Sequence, residues 1–167
     1  MPSAPLRELI VVTYIWGLVA GCAAGIPPQL AGQVSWNLSF PEIRRQPEAF
    51  RGRVLALGGI VTHIEAADEG YRLIVSEVPF EPTSRYRPAV DQPPRGRFIV
   101  LIPRHAFPSD LRPGAEVTVV GEILGAGTAP EAGVDEGVPL LDGRYLKVWG
   151  PSWWPRFLIG VWGGISI

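Results

Sequence analysis

Val54-Leu55-Ala56-Leu57-Gly58-Gly59-Ile60-Val61-Thr62-His63-Ile64 is the stretch whose reading decides the fold. Val54, Leu55, Leu57, Ile60, Val61 and Ile64 make a long apolar strand, and two adjacent glycines interrupt it. Glycines inside a strand mark a bulge or a sharp coil, because they relieve steric limits where the backbone bends. A long, bent first strand can pair with one neighbour through its first half and another through its second. That is the requirement for closing a small barrel.

The downstream sequence is consistent with this. Ala66 to Gly70 reads as a polar turn, and Tyr71 to Val78 alternates as a second strand that Pro79 ends. Glu81 to Gly96, with Pro82, Pro88, Pro93 and Pro94, reads as a loop. Arg97 to Ile102 is a third strand stopped by Pro103, and Ala106 to Leu111 has room for one turn of helix. Pro113-Gly114 turns the chain into a fourth strand over Glu116 to Leu124. Gly125 to Gly137 reads as a flexible Gly/Ala-rich loop, and Tyr145 to Trp149 as a short last strand. Five strands, with a short helical insert between the third and fourth, predict an all-β, OB-like Greek-key barrel over 48–150. A plain β-sandwich is the competing architecture.

Upstream, Ser39 to Phe50 predicts one or two helical turns, started at Ser39 or Pro41 and interrupted by Pro47. Residues 22–47 as a whole read as a tether carrying that short helical turn, because Gly25, Pro27, Pro28 and Gly32 punctuate a segment without clear period. Before it lies an address signal. Arg7 supplies a positive charge, Leu9 to Val19 is almost wholly apolar, and Val19-Ala20-Gly21-Cys22 closes the run. An apolar run of this length suits a signal peptide better than a membrane span, which needs roughly 20 residues. Small residues leave the backbone accessible to a peptidase, and the Cys22 thiol can accept a diacylglyceryl group. Residues 1–21 are therefore read as a lipoprotein signal peptide and Cys22 as the lipidation site. An uncleaved anchor helix is the alternative. Ala23 follows where an Asp would signal retention in the inner membrane, so the expected destination is the outer membrane.

Composition narrows the rest. Among 167 residues there are 20 Gly and 18 Pro, which favour short strands and turns over long helices. Cys22 is the only cysteine, so a domain in an oxidising compartment must stand without disulfides. The formal charge of −1 gives no overall attraction to nucleic acid. Mean hydropathy is +0.19, raised by both chain ends.

At this point the ordered motifs resemble the Slp family of outer-membrane lipoproteins, the starvation-inducible type. The resemblance runs from the lipobox through Pro47-Glu48-Ala49-Phe50-Arg51-Gly52, the Gly58-Gly59 pair and Val75-Ser76-Glu77-Val78-Pro79-Phe80. It continues with Gly96-Arg97-Phe98, Glu116-Val117-Thr118-Val119-Val120-Gly121 and Leu146-Lys147-Val148-Trp149. Where the family often carries an aromatic segment before its last strand, this chain has Val138-Pro139-Leu140-Leu141. The resemblance implies a lipid-anchored, periplasm-facing envelope protein of stationary phase or stress, with no catalytic activity and no cofactor.

The residues offer no stronger chemistry. His63 and His105, with Glu65 and Asp68, lack metal-ligand spacing. No G-x-S-x-G is present, and neither helix nor lysine follows the glycines of Gly121 to Gly127 to hold a phosphate. Arg85, Arg87, Arg95, Arg97 and Arg104 form one basic concentration, with Tyr86 and Phe98 interleaved. A solvated polar loop is the plain reading; lipid headgroups or lipopolysaccharide are the more natural ligands for such arginines, and a single-stranded nucleic acid or oligosaccharide is the alternative. The Trp-rich tail over 151–167, with Trp153, Trp154, Phe157 and Trp162, is too short to span a bilayer. It is expected to pack on the barrel or to meet membrane or a partner protein.

Overall fold

The five expected strands form in the computed structural model, which describes residues 26–150 apart from the side chains of 135 and 136. The leader, Cys22 and the Trp-rich tail lie outside the described residues. The strands are β1 (Val54–Ala67), β2 (Gly70–Val78), β3 (Gly96–Pro103), β4 (Glu116–Ala129) and β5 (Val134–Trp149). They close into a barrel in the order β1-β2-β3-β5-β4. Every pairing is antiparallel except β3 with β5, a parallel seam over Ile99–Leu101 and Leu140–Asp142.

The first strand does what its glycines suggested. Val54 to Ile60 pairs with β4, and Gly58 to Ala67 pairs with β2, so the two partners overlap at Gly58, Gly59 and Ile60. The irregularity itself lies elsewhere. The β1–β2 register shifts between Val61 and His63, and the Thr62 hydroxyl donates to the Ile74 carbonyl at 3.0 Å. The glycine pair serves close approach instead: a Cβ on Gly59 would stand 2.5 Å from both Ser76 O and Val75 Cγ1.

The second half of the chain departs further from expectation. Gly125 to Gly137 is no flexible loop. β4 runs on to Ala129, a 3-10 turn (Pro130–Ala132) reverses the chain, and β5 starts at Val134. The last strand is therefore far longer than Tyr145 to Trp149. Glycine and alanine favoured a loop by composition, but cross-strand pairing and burial overrode propensity, as they often do in strands. The helical insert is a 3-10 turn at Arg104–Ala106, slightly before the expected position.

Alternation sorts the side chains. Leu73, Val75, Phe98, Val100, Val117 and Val119 fill the barrel, joined by Phe40 and Ile43 from helix α2 (Phe40–Arg45). Two further apolar layers coat the outside. Ile74 and Ile99 on the outer face of β2 and β3 are covered by Ala129, Val134 and Val138 of the β4–β5 hairpin. Val54 and Val120 on the outer face of β1 and β4 are covered by Ile26 and Val34.

That last layer corrects the tether reading. From Ile26 the segment is packed: a short helix α1 (Pro28–Ala31) leads to Val34, 8 % exposed, and α2 places Ile43 at 0 %. Scattered apolar residues without helical or strand period still bury well when a formed surface lies beneath them. Pro47 interrupts as expected, dividing α2 from a 3-10 turn (Pro47–Phe50).

Candidate binding groove and the covered faces

The loop from Pro79 to Arg95 joins β2 to β3 and is held down by two ion pairs. Glu77 and Glu116 are both buried, at 1 % and 7 % exposure. Glu77 continues the inward series of Leu73 and Val75 to the mouth of the barrel, where Arg95 bonds it with two nitrogens, Nε to Oε2 at 2.9 Å. Glu116 lies in the outward series of β4, where Arg87 Nη2 meets it at 2.9 Å. A buried carboxylate left alone would be costly, so each arginine is fixed in place. The Glu77 hydrogen bond raises the Arg95 pKa above its ordinary value, against the opposing effect of burial.

Between these latches the loop crosses Thr118. The Thr118 hydroxyl donates to the Tyr86 carbonyl and accepts from Trp149 Nε1 at 2.9 Å. Tyr86 has φ 62°, the one positive value outside glycine among the described residues. Backbone held in this region costs free energy, and such strain clusters at binding sites. Trp36 stacks on the Tyr86 ring at 5.3 Å with the planes 20° apart, and Phe80 meets the same ring edge-on at 5.8 Å. Trp36 Nε1 donates to the Ala31 carbonyl at 3.1 Å, which fixes the indole while leaving it 51 % exposed.

A groove of about 200 Å³ lies between these parts. Val34 to Phe40 forms one wall, Leu55 to Gly58 the floor, and Glu77, Val78, Phe80 and Arg95 the other wall. Gly58 keeps it open: a Cβ there would stand 2.9 Å from Phe80 Cε1.

The structure divides the arginine concentration. Arg87 and Arg95 are committed to Glu116 and Glu77. Arg97 reaches the Ala132 carbonyl at 3.4 Å. Arg97 and Arg104 bracket β3, about 23 Å apart at roughly 3.3 Å per residue, so the five do not form one patch. Arg85 and Arg104 are exposed, as are His63 and His105. Among the described residues no group of three or more His, Cys, Asp or Glu comes together.

The sequence reading missed Trp36, Phe80, Glu77 and Glu116 as site residues. One signal was present: in Leu73, Val75, Glu77 a carboxylate occupies the next inward position of an apolar series. A glutamate there must find a buried partner or open onto a mouth.

At the other side of the barrel a third carboxylate fastens the 3-10 turn. Glu48 Oε1 accepts from the Ala126 amide at 2.8 Å, and Glu48 also pairs with Arg51. The Ala126 amide, then Arg51, hold the Glu48 carboxyl below the usual carboxylate range.

Fold and groove together describe a closed, all-β barrel with both outer faces covered by its own chain. Residues 19–156 match the family described as "Outer membrane lipoprotein Slp family", and the chain belongs to that family. Its place is accordingly the outer membrane, held by a lipid anchor. No curated protein and no solved structure gives a significant match.

Proposed function

We propose that the chain is a non-enzymatic envelope protein, lipidated at Cys22, facing the periplasm and acting in envelope maintenance under stress. Its barrel, arranged as in OB-like domains, binds a lipid or protein component of the envelope. The observation that supports this reading is the placement of Ile26 and Gly150 on the barrel. Ile26 packs beside Val120, and the Gly150 carbonyl accepts from Arg87, which pairs with Glu116. Glu116 and Val120 lie on the same outward row of β4, about 13 Å apart. Ile26 and Gly150 therefore lie over one face.

Cys22 is four residues before Ile26, and the apolar tail starts directly after Gly150. A single acyl chain anchors only marginally, so stable attachment takes a second signal. Further chains on Cys22, or Trp153, Trp154, Phe157 and Trp162 at the interface, supply it. The exposure of Arg85, next to Tyr86, supports it as the contact for a headgroup or lipopolysaccharide phosphate. Arg87, Arg95 and Arg97 already have partners, and Arg104 lies at the far end of β3.

The reading as a module for an anionic oligomer has less support. Ile74 and Ile99 on the β2–β3 face, where OB-type domains commonly take such ligands, lie under the β4–β5 hairpin. Labelled palmitate should enter the wild-type protein and be lost from Cys22→Ala; continued labelling of the variant would refute lipidation at this residue. Deleting 153–167 from Cys22→Ala should release it from vesicles, and unchanged binding would argue for a tail packed on the barrel.

A further inference from the structure

We infer that the groove beside Trp36 is a binding site for a pyranose ring of an oligosaccharide. This goes beyond the anchoring reading and does not depend on it. Three features point to such a ligand. First, Trp36 is held rigidly by the Tyr86 stack and the Ala31 bond, yet half of it stays open. An indole face carries negative charge density and favours the weakly positive C–H groups on one face of a sugar ring.

Second, each wall carries a polar group, Arg95 on the side opposite Trp36 and Ser39 on the Trp36 side. Arg95 uses Nε and Nη2 on Glu77, which leaves guanidinium N–H groups able to meet hydroxyl oxygens. Ser39, at the start of α2, makes no side-chain cap bond to its helix, so its hydroxyl can face a ligand. Third, the strained Tyr86 backbone positions the ring that supports Trp36, and the Thr118 bond holds that conformation. Strain maintained beneath an exposed aromatic is consistent with a preformed platform.

The dimensions suit one ring. At about 200 Å³ the groove is smaller than the ~300–1,000 Å³ pockets of drug-sized molecules. The half-exposed Arg95 guanidinium, paired with buried Glu77 in one wall, disfavours an acyl chain, which would desolvate that charge without replacing its hydrogen bonds to water. A nucleic-acid base could stack on Trp36, but the one cation lining the groove, Arg95, is already paired with Glu77, which leaves no net positive charge for its phosphates.

The test is saturation-transfer NMR on the full chain in detergent micelles, with chitotetraose, maltotetraose and cellotetraose as separate probes. At least one should show transfer to its ring protons. Trp36→Ala should weaken that binding about tenfold, whereas Trp36→Phe, which keeps an aromatic face, should stay within about threefold. Circular dichroism of each variant reports folding separately. Absence of transfer from all three probes overturns the site, as does equal binding by a folded Trp36→Ala. Quenching of Trp36 by brominated lipid in a folded chain that takes no sugar would assign the indole to the bilayer instead.

Discussion

The two outer faces of the barrel are covered by different chemistry. Over β2 and β3 the cover is dry: Ile74 and Ile99 meet Ala129, Val134 and Val138 from the β4–β5 hairpin. Over β1 and β4, and at the adjoining mouth, the cover combines Ile26 and Val34 with Arg–Glu pairs, a threonine relay and stacked aromatics. Aliphatic contact is non-directional and closes every gap it can. Ion pairs and stacked rings are directional, and they hold segments at set distances without filling the space between. The groove lies on the side built from the second kind.

This contrast can be broken by substitution. Ile99→Ala removes a fully buried side chain from the dry face and should cost about 4 kcal/mol in urea unfolding, because the hairpin cannot collapse into the space. A loss under about 1 kcal/mol would mean the hairpin cover adjusts freely. Arg95→Ala leaves Glu77 buried and uncompensated, and should cost about 3 kcal/mol. Amide exchange across 79–95 should rise in the same variant. Replacing both partners, Glu77→Leu with Arg95→Leu, should recover much of the loss, since no buried charge remains. If the double variant is as unstable as Arg95→Ala, the arginine acts through something other than Glu77.

Smaller effects sharpen the comparison. Thr118→Val keeps the shape but strands the Trp149 N–H and the Tyr86 carbonyl, at about 2 kcal/mol. Tyr86 would then be free to leave its left-handed conformation, and the Trp36 fluorescence should change with it. The smallest effect belongs to Glu48. Its folded pKa is lowered, so its contribution is present above the ordinary carboxylate range and fades as pH falls through the folded value. Glu48→Gln should therefore lower Tm slightly at neutral pH, and by less at an acidic pH where the carboxyl protonates. An equal drop at both would remove charge from the account of this contact.

Most of the barrel was legible because a strand's alternation and its glycine breaks are local. Val54 to Ile64, Tyr71 to Val78 and Glu116 to Val120 carry that pattern in the open. The β4–β5 hairpin was not legible, because Gly125 to Gly137 holds only two β-branched residues, Thr128 and Val134, among glycines, alanines and acids. It pairs with itself, Ala129 opposite Val134 and Gly127 opposite Val138, and is held down by burial on the distant Ile74 and Ile99. The packed segment 26–38 was hidden for the same reason: Ile26 and Val34 acquire meaning only once Val54 and Val120 lie under them. The groove assembles Trp36, Gly58, Glu77 and Arg95 from four separate segments, and no short window contains more than one of them. The arginine run misled in the opposite sense. Residues close in sequence were parted by the loop, and two were matched to buried acids.

The parallel seam between β3 and β5 has a consequence for a protein confined to a surface. Anchoring concentrates copies in two dimensions, where an unpaired strand edge would be a template for its neighbours. Three registered pairs, Ile99–Leu140, Val100–Leu141 and Leu101–Asp142, remove that template by closing the sheet on itself. The hairpin that covers Ile99 also spans this closure, so the dry face protects the most thinly paired join in the molecule. Barrels that touch side by side at this seam meet strands already paired to each other.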